Sequence, residues 1–294
     1  MKKAIIFFVL ILLAAVPALA ENVQAAGPVD DDAQPSLAGY VIVLHTGGTF
    51  ARADDALDFA RVAEAKTRFE AEGAAVLLLD AGGAFSAGAA ENDDGEEAGD
   101  EAEKEDDSAS AAVRAMTSAR YDAMTPGEAD FSLGLDRLAA LKGEAGFPLL
   151  SVNALDEQGA RLFSGSIIVE KDGLRIGVFG LTGPLDIEGV TVSDAGEAAR
   201  SAVGALRGEG CDVVIALACL GAEEDGASAA AALADAVEGL DIVIDMTADA
   251  PDGGLWTDDG ALIASAGAGL ERIGIVAIDP SGRCAALAMD ESWF

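Results

Sequence analysis

From Tyr40 onward, short apolar runs alternate with stretches in which apolar residues recur every three or four positions. Runs such as "AVLLLD" and "DVVIALA" are apolar at nearly every position, as strands covered on both faces require. This pattern predicts strands at Tyr40–Leu44, Ala75–Asp80, Pro148–Val152, Ser166–Glu170, Leu174–Gly180, Cys211–Ala218, Asp241–Asp245, Ala261–Ala266 and Ile273–Ile278. Helical spacing predicts helices at Ala56–Glu72, Ser108–Ala119, Phe131–Lys142, Ala195–Gly208 and Ser228–Val237. Asp172-Gly173 between two apolar runs is a hairpin signal. The class is α/β, mixed sheet layered with helices, with no internal repeat and no second domain boundary.

The N-terminus departs from this pattern. "MKKAIIFFVLILLAAVPALA" has a charged start, an apolar run too short to span a bilayer, and Ala18-Leu19-Ala20 before Glu21. It reads as a Sec signal peptide, residues 1–20, cleaved after Ala20, which implies a periplasmic or secreted protein. No cysteine lies near the cleavage site, so no membrane anchor is expected in the mature form. Residues 21–37, "ENVQAAGPVDDDAQPSL", read as a flexible acidic leader, and 38–294 as the folded domain.

Charge narrows the partners. Losing Lys2 and Lys3 takes the formal charge from −34 to −36, a surface that repels nucleic acid and anionic lipid. Part of that charge lies in Glu91–Asp107, eleven acids against one lysine, which is expected to be a disordered insertion. It lacks EF-hand spacing. Cys211 and Cys219 bound one strand and would stand ~26 Å apart, beyond the reach of a disulfide of about 7 Å between α-carbons. With Cys284 they read as small buried thiols.

The first strand runs into "HTGGTF", with the chain's single histidine, His45, and two hydroxyls, Thr46 and Thr49. Ligands of open α/β sheets bind where strands end in this way. "VIVLHTGGTFA" resembles the opening of bacterial L-asparaginases, which would cast Thr49 or Thr46 as nucleophile. A threonine needs a partner base, and the H-G-T-D-T element that such enzymes carry later in the chain is absent.

A longer resemblance spans almost the whole mature chain. Leu44 to Phe50 corresponds to L-H-T-N-D-x-H, and Asp80-Ala81-Gly82-Gly83-Ala84-Phe85 to D-A-G-D-x-F. "YDAMTPGEADFSLG", Tyr121 to Gly134, corresponds to Y-D-A-M-T-x-G-N-H-E-F-D-x-G. Ser151-Val152-Asn153, Gly177 to Pro184, "IALACLG" (Ile215 to Gly221) and "DIVIDMTAD" (Asp241 to Asp249) follow in order. The chain thus resembles the metallophosphoesterase domain of the 5′-nucleotidase family, in the calcineurin-like superfamily. That resemblance implies a layered α-β-β-α sandwich with mixed sheets. Full-length relatives carry a C-terminal base-stacking domain, which is expected to be missing after Phe294.

The resemblance also implies a two-metal phosphohydrolase site, with the cations ~4 Å apart. The letters at its positions have changed. The first metal pair is Gly48 and Phe50; the bridging aspartate is Gly83. The G-N-H pair is Glu128 and Ala129, and the aspartate orienting that histidine is Ser132. The later histidine is Cys219 and the final pair Thr247 and Asp249. His45 is not a ligand position in the family and reads as a structural group.

The expectation is therefore a pseudoenzyme with no cofactor and no catalytic residues, binding an unknown protein or small molecule. The alternative is a phosphohydrolase with a rebuilt site for one divalent cation, from Glu128, Asp245 and Asp249. Gly267-Ala268-Gly269 reads as a turn, and no phosphate-binding loop of the Walker type is present. The terminal Trp293-Phe294 pair is expected to pack against the domain.

Overall fold

The computed structural model describes residues 36–49, 58–85, 98–221, 229–246, 254–258, 260–267 and 269–294, with side chains from 108 onward in the helix that begins at 98. The expected signal peptide, nearly all of the expected leader and residues 91–97 of the acidic insertion lie outside them. Strand β1 is Val41–Thr46, followed by helix α1 (Phe59–Ala71), β2 (Ala75–Asp80), α2 (Ala98–Ser118) and β3 (Ala123–Met124). Two helices follow, α3 (Glu128–Phe131) and α4 (Leu135–Glu144), then β4 (Ala154–Leu155), β5 (Ser166–Lys171), β6 (Leu174–Thr182) and β7 (Thr191–Val192). The second half holds α5 (Ala195–Gly208), β8 (Val213–Cys219), α6 (Ala229–Ala236) and β9 (Ile242–Asp245). It closes with β10 (Leu255–Trp256), β11 (Leu262–Ala264), β12 (Ile273–Ile278) and β13 (Cys284–Met289).

Two large mixed sheets result, in the orders β13-β12-β1-β2-β3 and β10-β11-β9-β8-β6-β5. β1 runs parallel to β2 and antiparallel to β12, while β8 is parallel to both β6 and β9. The strand period of two sorts each run between two cores. Val41, Val43, Leu77 and Leu79 face Val213, Ile215 and Leu217 between the sheets. Ile42, Leu44, Val76 and Leu78 face outward onto Val62, Phe69, Val113 and Met116 of α1 and α2. On the far side, Val214, Ala216 and Ala218 meet Val203, Leu206 and Leu233 of α5 and α6. The layers are α-β-β-α, and the doubly apolar strands are the ones covered on both faces.

Several expectations need correction. Leu37, placed in the leader, is fully buried, and its N–H donates to Glu72 O at 2.9 Å. The second half of the acidic insertion, from Ala98, is the start of α2, so the expected disorder does not extend over it. Six of the ten residues from Ala98 to Asp107 are Glu, Ala or Lys, strong helix formers, an effect that the charge count outweighed in the sequence reading. Phe131–Lys142 is two helices, because Gly134 takes φ +85° between them. Pro148–Val152 forms only isolated bridges, Leu149 to Met124 and Leu150 to Ser164.

Other features follow the sequence. Asp58 caps α1 by accepting from Arg61 N at 2.9 Å. The hairpin turns at Asp172, φ +47°, and Gly173, φ +83°. The C-terminus is tied down: Arg68 Nη1 donates to Trp293 O at 2.9 Å, and the Arg61 and Arg68 guanidinium groups each lie 5.2 Å from the Phe294 ring centre. The three cysteines are free and buried. Among the described residues, no helix is long and apolar enough to cross a membrane.

Candidate functional site

The parallel strands end together. Thr46 pairs with Asp80 at the ends of β1 and β2, Thr182 with Cys219 at the ends of β6 and β8, and Ala218 with Asp245 on β9. This register places two hydroxyls, two carboxyls and a thiol at one rim. The loops that follow join the two sheets, with Thr182 Oγ1 donating to Pro126 O at 3.1 Å; within the first sheet, Gly48 N donates to Gly82 O at 2.6 Å. A side chain on Gly82 would meet Thr125 O at 2.8 Å and Cys219 Sγ at 3.1 Å. One on Gly127 would overlap Cys219 Sγ. Glycine at both positions lets the thiol lie against bare backbone.

Two carboxyls anchor these loops from inside. Asp80 is fully buried; its Oδ2 accepts from Thr46 Oγ1 at 2.6 Å and its Oδ1 from Gly82 N at 2.8 Å. Thr46 in turn shares a hydrogen bond with the Tyr121 hydroxyl at 2.9 Å. Burial drives the Asp80 pKa up to about 7, against the lowering effect of Thr46 and Gly82, with Asp130 adding to the rise. Burial likewise raises Tyr121.

Asp130, absent from the sequence-based site, is the second anchor. It is fully buried and accepts three backbone bonds of 2.8 Å, from Gly83 and Gly127 to Oδ2 and from Phe85 to Oδ1. Its carboxyl therefore ties the loop after β2 to the start of α3. Burial pushes its pKa up, and the four backbone amides around it (Gly127, Phe85, Gly83 and Ala84) pull it down. The signal available in the sequence was its place at the third position of a short helix after Gly127, where acidic side chains cap.

The remaining polar groups are also engaged internally. Asn153 pairs with the backbone of Thr182, donating to its O at 2.8 Å and accepting from its N at 2.9 Å. His45 is buried against Gly274, its antiparallel partner, where any side chain would overlap the ring. Burial lowers its pKa to about 3, so it is neutral across the physiological range. The Thr49 hydroxyl is buried and has no hydrogen-bond partner among the described residues, so none of them is set as a base to activate it. Cys219 has its pKa raised by burial and then by Asp130, Asp245 and Asp80.

No family model matches. A 5′-nucleotidase of Vibrio vulnificus is 32% identical over 173 residues, 55% of this chain and 29% of the relative. The trifunctional nucleotide phosphoesterase YfkN of Bacillus subtilis is 30% identical over 154 residues, 45% of this chain and 10% of that protein. The chain spans under a third of the length of these curated relatives. The crystal structure of the calcineurin-like phosphoesterase YfkN superposes with a TM-score of 0.67 at 21% identity, covering 86% of this chain and 91% of that one. A 5′-nucleotidase precursor from Thermus thermophilus gives 0.66 at 23% identity, covering 86% and 55%.

The fold is that of the calcineurin-like phosphoesterases.

The phosphoesterase positions can now be placed one by one. Gly48 and Gly83 sit at φ +59° and +73°, left-handed backbone that favours glycine. Ala129 is half-buried and offers no donor atom. Glu128 is exposed at the start of α3, and Ser132 is exposed with its hydroxyl donating to Ala129 O at 2.6 Å. Asp245 is buried and hydrogen-bonded or otherwise paired within the structure. Phe50, Thr247 and Asp249 lie outside the described residues. Among the described residues, no group of three or more His, Cys, Asp or Glu side chains stands together as a metal site.

These residues do not fit a two-metal centre. Such ions require several free oxygen or imidazole donors converging on open space. Here the oxygens of Asp80 and Asp130 already accept from N–H and hydroxyl groups, and the Cys219 sulfur lies against Gly82 and Gly127.

Proposed function

We propose that the chain is a 5′-nucleotidase-like pseudoenzyme, exported through its N-terminal signal, that keeps the phosphoesterase scaffold for binding, scaffolding or regulation. The observation that carries this reading is the internal use of the two rim carboxyls together with the thiol seated on Gly82 and Gly127. Phosphoryl transfer relies on positioning and on charge stabilisation by bound cations. Carboxylates engaged by backbone N–H groups give such cations little to hold.

The test is direct. Mature protein purified without chelator is expected to hold no stoichiometric zinc, manganese or iron by elemental analysis. It is expected to hydrolyse nucleoside monophosphates, cyclic nucleotides and an aryl phosphate no faster than buffer. Two tightly held transition metals per chain would overturn the reading. So would turnover that EDTA abolishes and that falls in Glu128→Ala or Asp249→Ala, an outcome that would establish the single-cation site instead.

A further inference from the structure

We propose that Cys219 and Met246 form a soft-metal site for one monovalent cation, Cu(I) or Ag(I), at the shared end of β8 and β9. Cys219 is the last residue of β8, and Met246 follows the last residue of β9. Because Ala218 pairs with Asp245, the two sulfur-bearing residues come side by side, with Sγ 3.9 Å from Sδ. With metal–sulfur bonds of about 2.3 Å, two sulfurs 3.9 Å apart fit two positions of a trigonal ion, the third being left to a solvent ligand on the Met246 side. Thiolate and thioether together select Cu(I)-like ions over hard cations.

The surroundings hold the pair in place and favour positive charge. Met246 lies against Gly47, where a side chain would meet its Cγ at 3.2 Å, and Cys219 lies against Gly82 and Gly127. Asp80, Asp130 and Asp245 all act on Cys219 electrostatically, as negative groups that would stabilise an incoming cation. Cys219 is 7% exposed, but Met246 is half-buried, so the ion enters from the thioether side. Binding replaces the thiol proton: Cys219–SH and M⁺ give Cys219–S–M and a proton released to solvent. No electron transfer is involved. The two other thiols belong elsewhere: Cys211 precedes β8 at its opposite end, and Cys284 begins β13.

The site needs only the sulfur pair, and its test uses neither transition-metal hydrolysis nor phosphate esters, so it can fail without touching the pseudoenzyme reading. Reduced mature protein is titrated with Ag(I), followed by thiolate–metal ultraviolet absorbance, and with Cu(I) in competition with a chromophoric chelator. One tight equivalent is expected, accompanied by a rise in melting temperature. Cys219→Ser should lose that equivalent, and Met246→Leu, close in volume, should weaken it at least tenfold while keeping the native circular dichroism spectrum. Should Cys219→Ser not fold, the Met246→Leu comparison decides. Absence of a tight equivalent in the unmodified protein, its retention in Cys219→Ser, or equal affinity in Met246→Leu would each overturn the proposal.

Discussion

Asp80→Asn raises the melting temperature at pH 8 by roughly 5–10 °C and has little effect at pH 4. The carboxyl is fully buried, with its pKa raised from 3.8 to about 7. Between those values the folded protein binds a proton that the unfolded chain has released, so stability falls as pH rises through the window. Above pH 7 both states are ionised at this site, and the accumulated loss stays constant. A shift of three units corresponds to about 4 kcal/mol at most. In a domain of this size each kcal/mol moves the melting temperature by roughly 2–4 °C. Asparagine is neutral throughout and keeps the local geometry. Its oxygen accepts from Gly82 N, and its amide donates to Thr46, whose hydroxyl then turns to Tyr121.

His45 supplies the opposing slope. Its pKa falls from 6.5 to about 3 on burial, so the unfolded chain binds the extra proton and stability rises with pH across that interval. From about pH 4 to 6.5 His45 opposes Asp80 and reduces the slope of the wild-type curve. Asp80→Asn removes one of them and exposes the rise due to His45. Asp241, also raised by burial, is common to both proteins and drops out of the comparison, whereas the repulsion between Asp130 and Asp80 is lost in the variant and belongs to its gain at high pH. Thermal unfolding at pH 4, 6 and 8 is the measurement. Parallel wild-type and variant curves would show that Asp80 is ionised in the fold at all these pH values.

The layering was legible because it is written in local letters. β1, β2 and β8 are apolar at almost every position, and the structure covers both faces of each. β13, "CAALAM", escaped because alanine-rich runs carry little strand preference and no alternation; its pairing with β12 makes it a strand. Pro148–Val152 has the composition of a strand, but the partners of Leu150 are the Met124 carbonyl and the Thr125 hydroxyl, which no local pattern reveals.

The rim divides in the same way. Missing donor atoms at Gly83 and Ala129 can be read from the sequence alone. The work of Asp130 cannot, because two of its three partners, Gly83 and Phe85, lie more than forty residues away on another strand's loop. The thiol's position is equally hidden, since Cys219 ends a strand of one sheet and Gly127 lies in the loop that leaves the other, more than ninety residues earlier.

That meeting yields the second large effect. Gly127→Ala is expected to destabilise the protein by about 1–3 kcal/mol, the usual cost of overpacking a well-filled interior. Gly127 has φ −108° and ψ −177°, an extended conformation that alanine adopts freely, so backbone strain contributes nothing. The obstacle is the Cys219 Sγ, which the new methyl would overlap; the next atoms, Cys219 Cβ at 3.4 Å and Gly83 N at 3.8 Å, are ordinary contacts. Cys219→Ala alone should cost about 1 kcal/mol through lost packing. In the double variant the alanine methyl occupies the space the sulfur leaves, and most of the Gly127→Ala penalty should vanish. The coupling energy between the sites is then at least about 1 kcal/mol, well outside the additivity seen for independent positions. Gly180→Ala is the control. Its methyl would overlap Leu150 O and Thr125 Oγ1, a carbonyl and a hydroxyl held within the fold, so removing Cys219 gives no relief. Denaturant unfolding of the four members of the cycle measures this. Additive penalties for Gly127→Ala and Cys219→Ala would mean that the thiol does not fill the crevice between the sheets.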